Sequence, residues 1–183
     1  LSDIGGSRVG QALGVDDLYL VETLAELGSA IASLRSEEAI ETVGYDYVVE
    51  ATQFVNDEYL ADQWGLVETP GLNLAEAWDI STGEATIMVA VLDSGVDVDH
   101  PSLRDSKLTS IDLVGGSLGP DGAYLGHGTA IASLIAGTAE GEEGLAPEAE
   151  ILSIRVLDGE GGGDSFTVAR GIVEAADRGA KVI

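Results

Sequence analysis

The apolar positions of the chain follow two periods. From Ala85 to Leu103 the sequence reads A-T-I-M-V-A-V-L-D-S-G-V-D-V-D-H-P-S-L, and its first half is almost continuously apolar and β-branched. That pattern predicts a strand buried on both faces of a parallel sheet. Glu150 to Leu157 repeats it, and Ala180 to Ile183 begins it a third time. Helical spacing fills the intervals. From His127 runs a helix of small and aliphatic residues (Ala130, Ala132, Ser133, Ile135, Ala136), ended by Gly137 and Gly141. Small side chains allow close backbone approach, so this helix is expected to be central. Asp164 or Ser165 caps a second helix, with Phe166, Ala169, Ile172, Val173 and Ala176 on its buried face and Gly179 as its stop. Strand, helix, strand, helix, strand with short connections predicts an α/β fold, a parallel sheet flanked by helices with right-handed crossovers.

The first third of the chain is patterned differently. Residues 1 to about 16 are punctuated by Gly and Ser, and Asp17 to Val21 reads as a short strand. Thr23 with Glu26 three residues later is a capping-box pattern, followed by Leu24, Leu27, Ile31 and Leu34 on one helical face. Ile40 to Val49 reads as a second strand, which completes half of a small α+β unit. Pro70 to Trp78 predicts a short helix capped by Asn73 with Trp78 buried. Pro101 to Gly126, with Gly115, Gly116, Gly119 and Gly122, reads as surface loop.

Charge and composition narrow the functions available. Of 183 residues, 33 are acidic and 8 are Lys or Arg, a net charge of −25 that disfavours nucleic acid and anionic membranes as partners. The acids are scattered, with one short cluster at Glu140, Glu142 and Glu143, as on a solvated acidic surface. A hydrophobic fraction of 45% excludes a disordered polymer, and no apolar run is long enough to cross a bilayer. With no cysteine, the chain has neither a disulfide framework nor a thiolate metal site. The length suits one core plus a small appendage.

The chemistry concentrates in two motifs. Asp93 ends the organising strand, where open α/β sheets place ligands, and a carboxylate there is costly without a partner. His127, 34 residues further on in G-H-G-T-A-I-A-S-L-I-A-G, is the natural partner. In a Ser-His-Asp system the histidine takes the serine proton, and a buried aspartate holds its other ring nitrogen. His100, in D-V-D-H-P, reads as structural. Gly159 to Gly163 invites a phosphate-loop reading, but no Lys-Ser/Thr follows.

D-S-G followed by D-x-D-H-P-x-L, then H-G-T-x-x-A-x-x-I-A-G, then G-L-A-P-E-A-x-I-L-S-I-R-V-L, resembles the subtilisin-like serine proteases, the subtilases. The resemblance runs from about Asp17 to Ile183 and agrees with the Asp-before-His order of that family. It implies that residues 1–52 are a partial inhibitory prosegment and 53–183 the N-terminal part of a catalytic domain. The alternative is that 1–52 form the first layer of a single domain. The stretch Val49 to Leu66 resembles the prosegment border, with the processing bond between Glu50 and Asn56. The resemblance makes Asp93 and His127 catalytic, and Gly159, Gly161, Gly162 and Gly163 an edge that binds substrate as an added strand. No cofactor is required. Calcium is a common structural ion of the family, but Ser102 stands where an aspartate ligand is frequent, leaving Asp57 as a weak candidate.

The family's G-T-S-x-A-x-P serine motif and oxyanion asparagine are absent, and Ser94, Ser133 and Ser165 lack that context. The expectation is a secreted serine endopeptidase precursor acting on polypeptides, with its own prosegment as intramolecular inhibitor and its serine beyond this chain. The chain alone is expected to be inactive. A subtilase-like scaffold that has lost its serine is the rival reading, and an acidic nucleotide-binding α/β domain a third.

Overall fold

The computed structural model describes residues 4–11, 18–50, 72, 74–116, 125–139 and 143–183. In chain order the elements are β1 (Ser7–Gln11), β2 (Tyr19–Glu22), α1 (Leu27–Arg35), β3 (Val48–Glu50), α2 (Leu74–Trp78), β4 (Met88–Asp93), a short 3-10 helix (Pro101–Leu103), β5 (Lys107–Asp112), α3 (Leu125–Ala136), β6 (Glu150–Arg155), β7 (Gly162–Asp164) and α4 (Ser165–Asp177).

β4, β6 and β5 form a parallel sheet in that spatial order. Asp93 and Asp112 both stand opposite Arg155, so all three strands end at one level. On the far side of β4, Val182 bridges Val89 in parallel, where the sequence predicts a further strand to begin. Alternation along β6 divides the core between the two faces of the sheet. Leu152, Ile154 and Val156 pack with Ala90 and Ala175 of α4. Ile151 packs with Val91, Val96, Leu103 and the α3 residues Ala132 and Ala136. Ile151 and Ile154 are wholly buried, and each such side chain contributes about 1.5–3 kcal/mol relative to exposure. The α/β architecture that the apolar pattern predicts is therefore present, with small residues on α3 where it meets the sheet.

Other expectations are corrected. β5 occupies part of the stretch read as loop: only its Leu108 and Ile111 are half-buried in an otherwise exposed edge strand, so its apolar signal is thin. α1 begins at Leu27, with Glu26 as its cap accepting from Gly28 and Ser29. Thr23 instead donates to the Ile4 carbonyl. Leu24 is fully exposed and Leu27 exposed, while Ile31 and Leu34 are half-buried, so only the second half of the predicted stripe is covered; Ala30 is the buried residue of this helix. Of the strand predicted over Ile40 to Val49, only Val48 and Val49 lie in a paired strand, which continues to Glu50. β1, unanticipated, pairs antiparallel with β2. Trp78 is half-buried and donates from Nε1 to the Leu145 carbonyl at 3.0 Å. Asn73, Gly119, Gly122, Gly141, Glu140, Glu142 and the processing border after Glu50 lie outside the described residues.

Candidate active site

β4 stops at Asp93 because Ser94 and Gly95 turn the chain, Gly95 with φ 99°. α3 starts at Leu125, so His127 lies in its first turn rather than at its head. The two motifs meet. His127 Nδ1 lies 2.8 Å from each carboxylate oxygen of Asp93. An ionised carboxylate can only accept, which puts the proton on Nδ1 and the basic lone pair on Nε2. Asp93 is 9% exposed, and its carboxylate also accepts from the Ser94 N–H at 2.7 Å and the Ser94 hydroxyl at 3.0 Å. A buried carboxylate with three donors holds the imidazole in one orientation.

The contact requires glycine next door. A methyl on Gly128 would overlap the Gly95 carbonyl oxygen and lie 3.3 Å from the Asp93 Cβ. Thr129 adds a second tie, its hydroxyl accepting from the Asp97 N–H at 2.9 Å. His100 is structural in its geometry: Nδ1 accepts from the Ser102 N–H at 3.3 Å and caps the 3-10 helix.

The glycine segment leaves the same end of the sheet. The Asp93 carbonyl accepts from the N–H groups of Val156 and Leu157 at 2.9 and 3.2 Å, and so joins the end of β4 to the start of this segment. The Asp158 carboxylate then accepts from Glu160 and Gly162, at 2.8 and 2.9 Å, to fold the turn. Gly159 lies in that turn, Gly161 has φ 79°, and Gly162 and Gly163 pair with β3. Val49 stands opposite Gly163 in an antiparallel ladder. A methyl on Gly163 would lie 2.7 Å from the Val156 carbonyl oxygen, so this edge is open only to glycine. Next to it, α4 is capped twice: Asp164 accepts from the Thr167 N–H at 2.8 Å, and Asp46 from the Phe166 N–H at 2.9 Å and the Ser165 hydroxyl at 2.6 Å.

Sequence reading missed Ser94, Thr129, Asp46 and Asp158 as supports. Only Ser94 and Thr129 had a local signal, in D-S-G and H-G-T.

Two carboxyls here are held below their ordinary range. Burial is the largest single influence on Asp112 and opposes ionisation, but the N–H groups of Gly115 and Val114 and the Arg155 guanidinium outweigh it. For Asp158 the leading causes are the N–H groups of Glu160 and Gly162. A carboxyl depressed on folding adds stability above its unfolded value, about 3.9, and loses it as pH falls through the lower folded value. The thermal midpoint of the complete protein should therefore exceed that of Asp112→Asn at pH 6, with the gap closing in acid below about pH 4. A gap that widens in acid would contradict this.

Among the described residues no group of three His, Cys, Asp or Glu side chains could hold a metal ion, and Asp57 lies outside them. Buried Ser102 occupies the position at which the family pattern offers a carboxylate. The described residues therefore offer no cluster of acidic side chains for calcium. Nor does any described helix have the length and apolarity to cross a membrane.

The sequence profile of the subtilase family matches residues 84–183. Over its full length the chain is 30% identical to a thermophilic serine proteinase from Bacillus sp. strain AK1, of which it covers 46%. It is 39% identical to thermitase from Thermoactinomyces vulgaris over 70% of this chain and 46% of that one. To a calcium-dependent protease from Nostoc sp. strain PCC 7120 it is 33% identical, over 90% of this chain and 26% of that one. The chain thus spans less than half the length of these relatives.

Proposed function

This chain belongs to the subtilase family, and from that premise we propose that it carries two members of a Ser-His-Asp triad, Asp93 and His127, of a serine endopeptidase. The serine is supplied by sequence outside these 183 residues. The observation that carries the reading is the paired 2.8 Å contact of His127 Nδ1 with both Asp93 oxygens. In the reaction His127 Nε2 takes the serine proton as the hydroxyl attacks the peptide carbonyl. It returns that proton to the leaving amine, and the same cycle with water frees the acyl group. Asp93 keeps its charge throughout and stabilises the imidazolium.

Substrate is extended polypeptide, bound as a strand along Gly161, Gly162 and Gly163, and the protein acts outside the cell. Residues 1–52 act as an inhibitory prosegment. Support for both comes from β3, whose main chain pairs with Gly162–Asp164, an edge that would otherwise serve another extended strand. Asp46 adds a charge-assisted tie to the start of α4. Asp46→Ala in the complete protein should shorten the lag before activity appears severalfold, as followed by the time course of peptide hydrolysis. An unchanged lag would count against the prosegment assignment.

The test of the function itself is direct. The complete protein should cut a denatured polypeptide at internal bonds, and a serine-directed organophosphonate should stop it. Absence of any cleavage would overturn the reading.

A further inference from the structure

Arg155 is 3% exposed, one of only 8 basic residues in a chain of net charge −25. A buried guanidinium is costly unless its donors are matched. Among the described residues, the partners named here belong to two segments that leave the sheet at the same end. Nη1 donates to Asp112 Oδ2 at 3.0 Å and to the Gly115 carbonyl at 3.4 Å, both at the exit of β5. Nε donates to the Leu157 carbonyl at 3.1 Å, at the exit of β6. Both main-chain groups of Leu157 are thus held, since its N–H donates to the Asp93 carbonyl. Leu157 leads directly into the Asp158 turn and the Gly162–Gly163 edge.

We propose that Arg155 is a positioning residue for substrate: by clamping the Leu157 carbonyl to Asp112, it fixes the glycine edge at a set offset from the Asp93–His127 pair. A rigid fork of donors suits this task, because one planar group must satisfy acceptors on two separate segments. Lysine presents a single ammonium on a flexible stem and cannot hold the same set. Asp112, whose side chain is 47% exposed, is the accessible end of the clamp. Its loss should loosen the edge while leaving the Asp93–His127 contact in place.

The substrate part of this inference rests on the peptidase reading, and the test separates the two. The complete protein would be compared with Asp112→Asn and Arg155→Lys on an extended peptide spanning the edge and on a single-residue ester that does not reach it. KM for the extended peptide should rise about tenfold, the loss of one charge-assisted hydrogen bond, with kcat within about twofold. Kinetics on the ester should be unchanged. Equal losses on both substrates would reduce Arg155 to a general stabiliser and overturn the proposal, as would no change on either. If the parent protein hydrolyses neither substrate, the peptidase reading fails, and amide exchange decides the positioning claim. Asp112→Asn should then speed exchange over Leu157–Gly163 with β4 unaffected, and unchanged exchange there overturns it.

Discussion

His127→Ala in the complete enzyme should lower kcat by about 10⁶-fold, and Asp93→Asn by about 10⁴-fold, with KM little altered in either. These magnitudes are those of triad residues in serine proteases, subtilisin included, and they apply here on the proposal that Asp93 and His127 are two such residues. The physical reason for the difference lies in the geometry. Removing the imidazole removes the group proposed to move the proton. Replacing the carboxylate by an amide leaves the ring in place but turns one of the two accepting oxygens into an NH2 donor, so the tautomer is no longer held. Steady-state kinetics on one extended peptide, with the double variant beside the single ones, would check this. Because the two residues act as a unit, the double variant should be no worse than His127→Ala alone. A multiplicative loss would mean that they act independently.

The second large effect belongs to Gly128. A methyl there overlaps the Gly95 carbonyl oxygen, which is main chain and cannot swing aside as a side chain would. Relief must come from moving the start of α3 away from the end of β4, the two elements that carry His127 and Asp93. Gly128→Ala should therefore destabilise by roughly 1–3 kcal/mol, the usual cost of overpacking, and should abolish most activity as well. Thermal denaturation together with kcat reads both. Gly126→Ala is the control: a methyl at Gly126 meets nothing within 4 Å among the described residues, so the same change two residues away should leave stability nearly untouched. Equal effects at the two glycines would show that helix propensity, not the close approach, was being measured.

What the sequence disclosed follows how strongly each feature imprints on local pattern. β4 and β6 are buried on both faces, so their apolar runs are unbroken and legible. α3 declares itself through small residues because it crosses the sheet closely, and Asp93 and His127 sit in motifs dense enough to be recognised. β5 is an edge strand with two half-buried apolar residues, and a short exposed run of K-L-T-S-I-D has no period to detect. α1 was misplaced by one turn because Glu26, an uncommon cap, took the role that the Thr23 pattern offered. Leu24 and Leu27 had the spacing of a buried face, but spacing cannot report whether anything packs on it. The supports of the site were the least visible of all. Asp46 reaches Ser165 across 119 positions, and Arg155 reaches Asp112 across 43, and no local window contains both ends of such a contact.

The Asp93 side chain orients His127, while its main-chain carbonyl holds Val156 and Leu157. A single residue thus ties the acid-base pair to the segment proposed to bind substrate. Displacing the end of β4 would therefore disturb chemistry and binding together, whereas loosening the Arg155 clamp should disturb binding alone.

The most direct measurement is covalent labelling of the complete protein by a serine-directed fluorophosphonate, with the parent, His127→Ala and Asp93→Asn compared at one pH. The account predicts stoichiometric labelling of the parent at a single serine, almost none in His127→Ala, and slow labelling in Asp93→Asn. Labelling that is absent from the parent, or that proceeds equally without His127, would contradict the claim that these two residues activate a nucleophile.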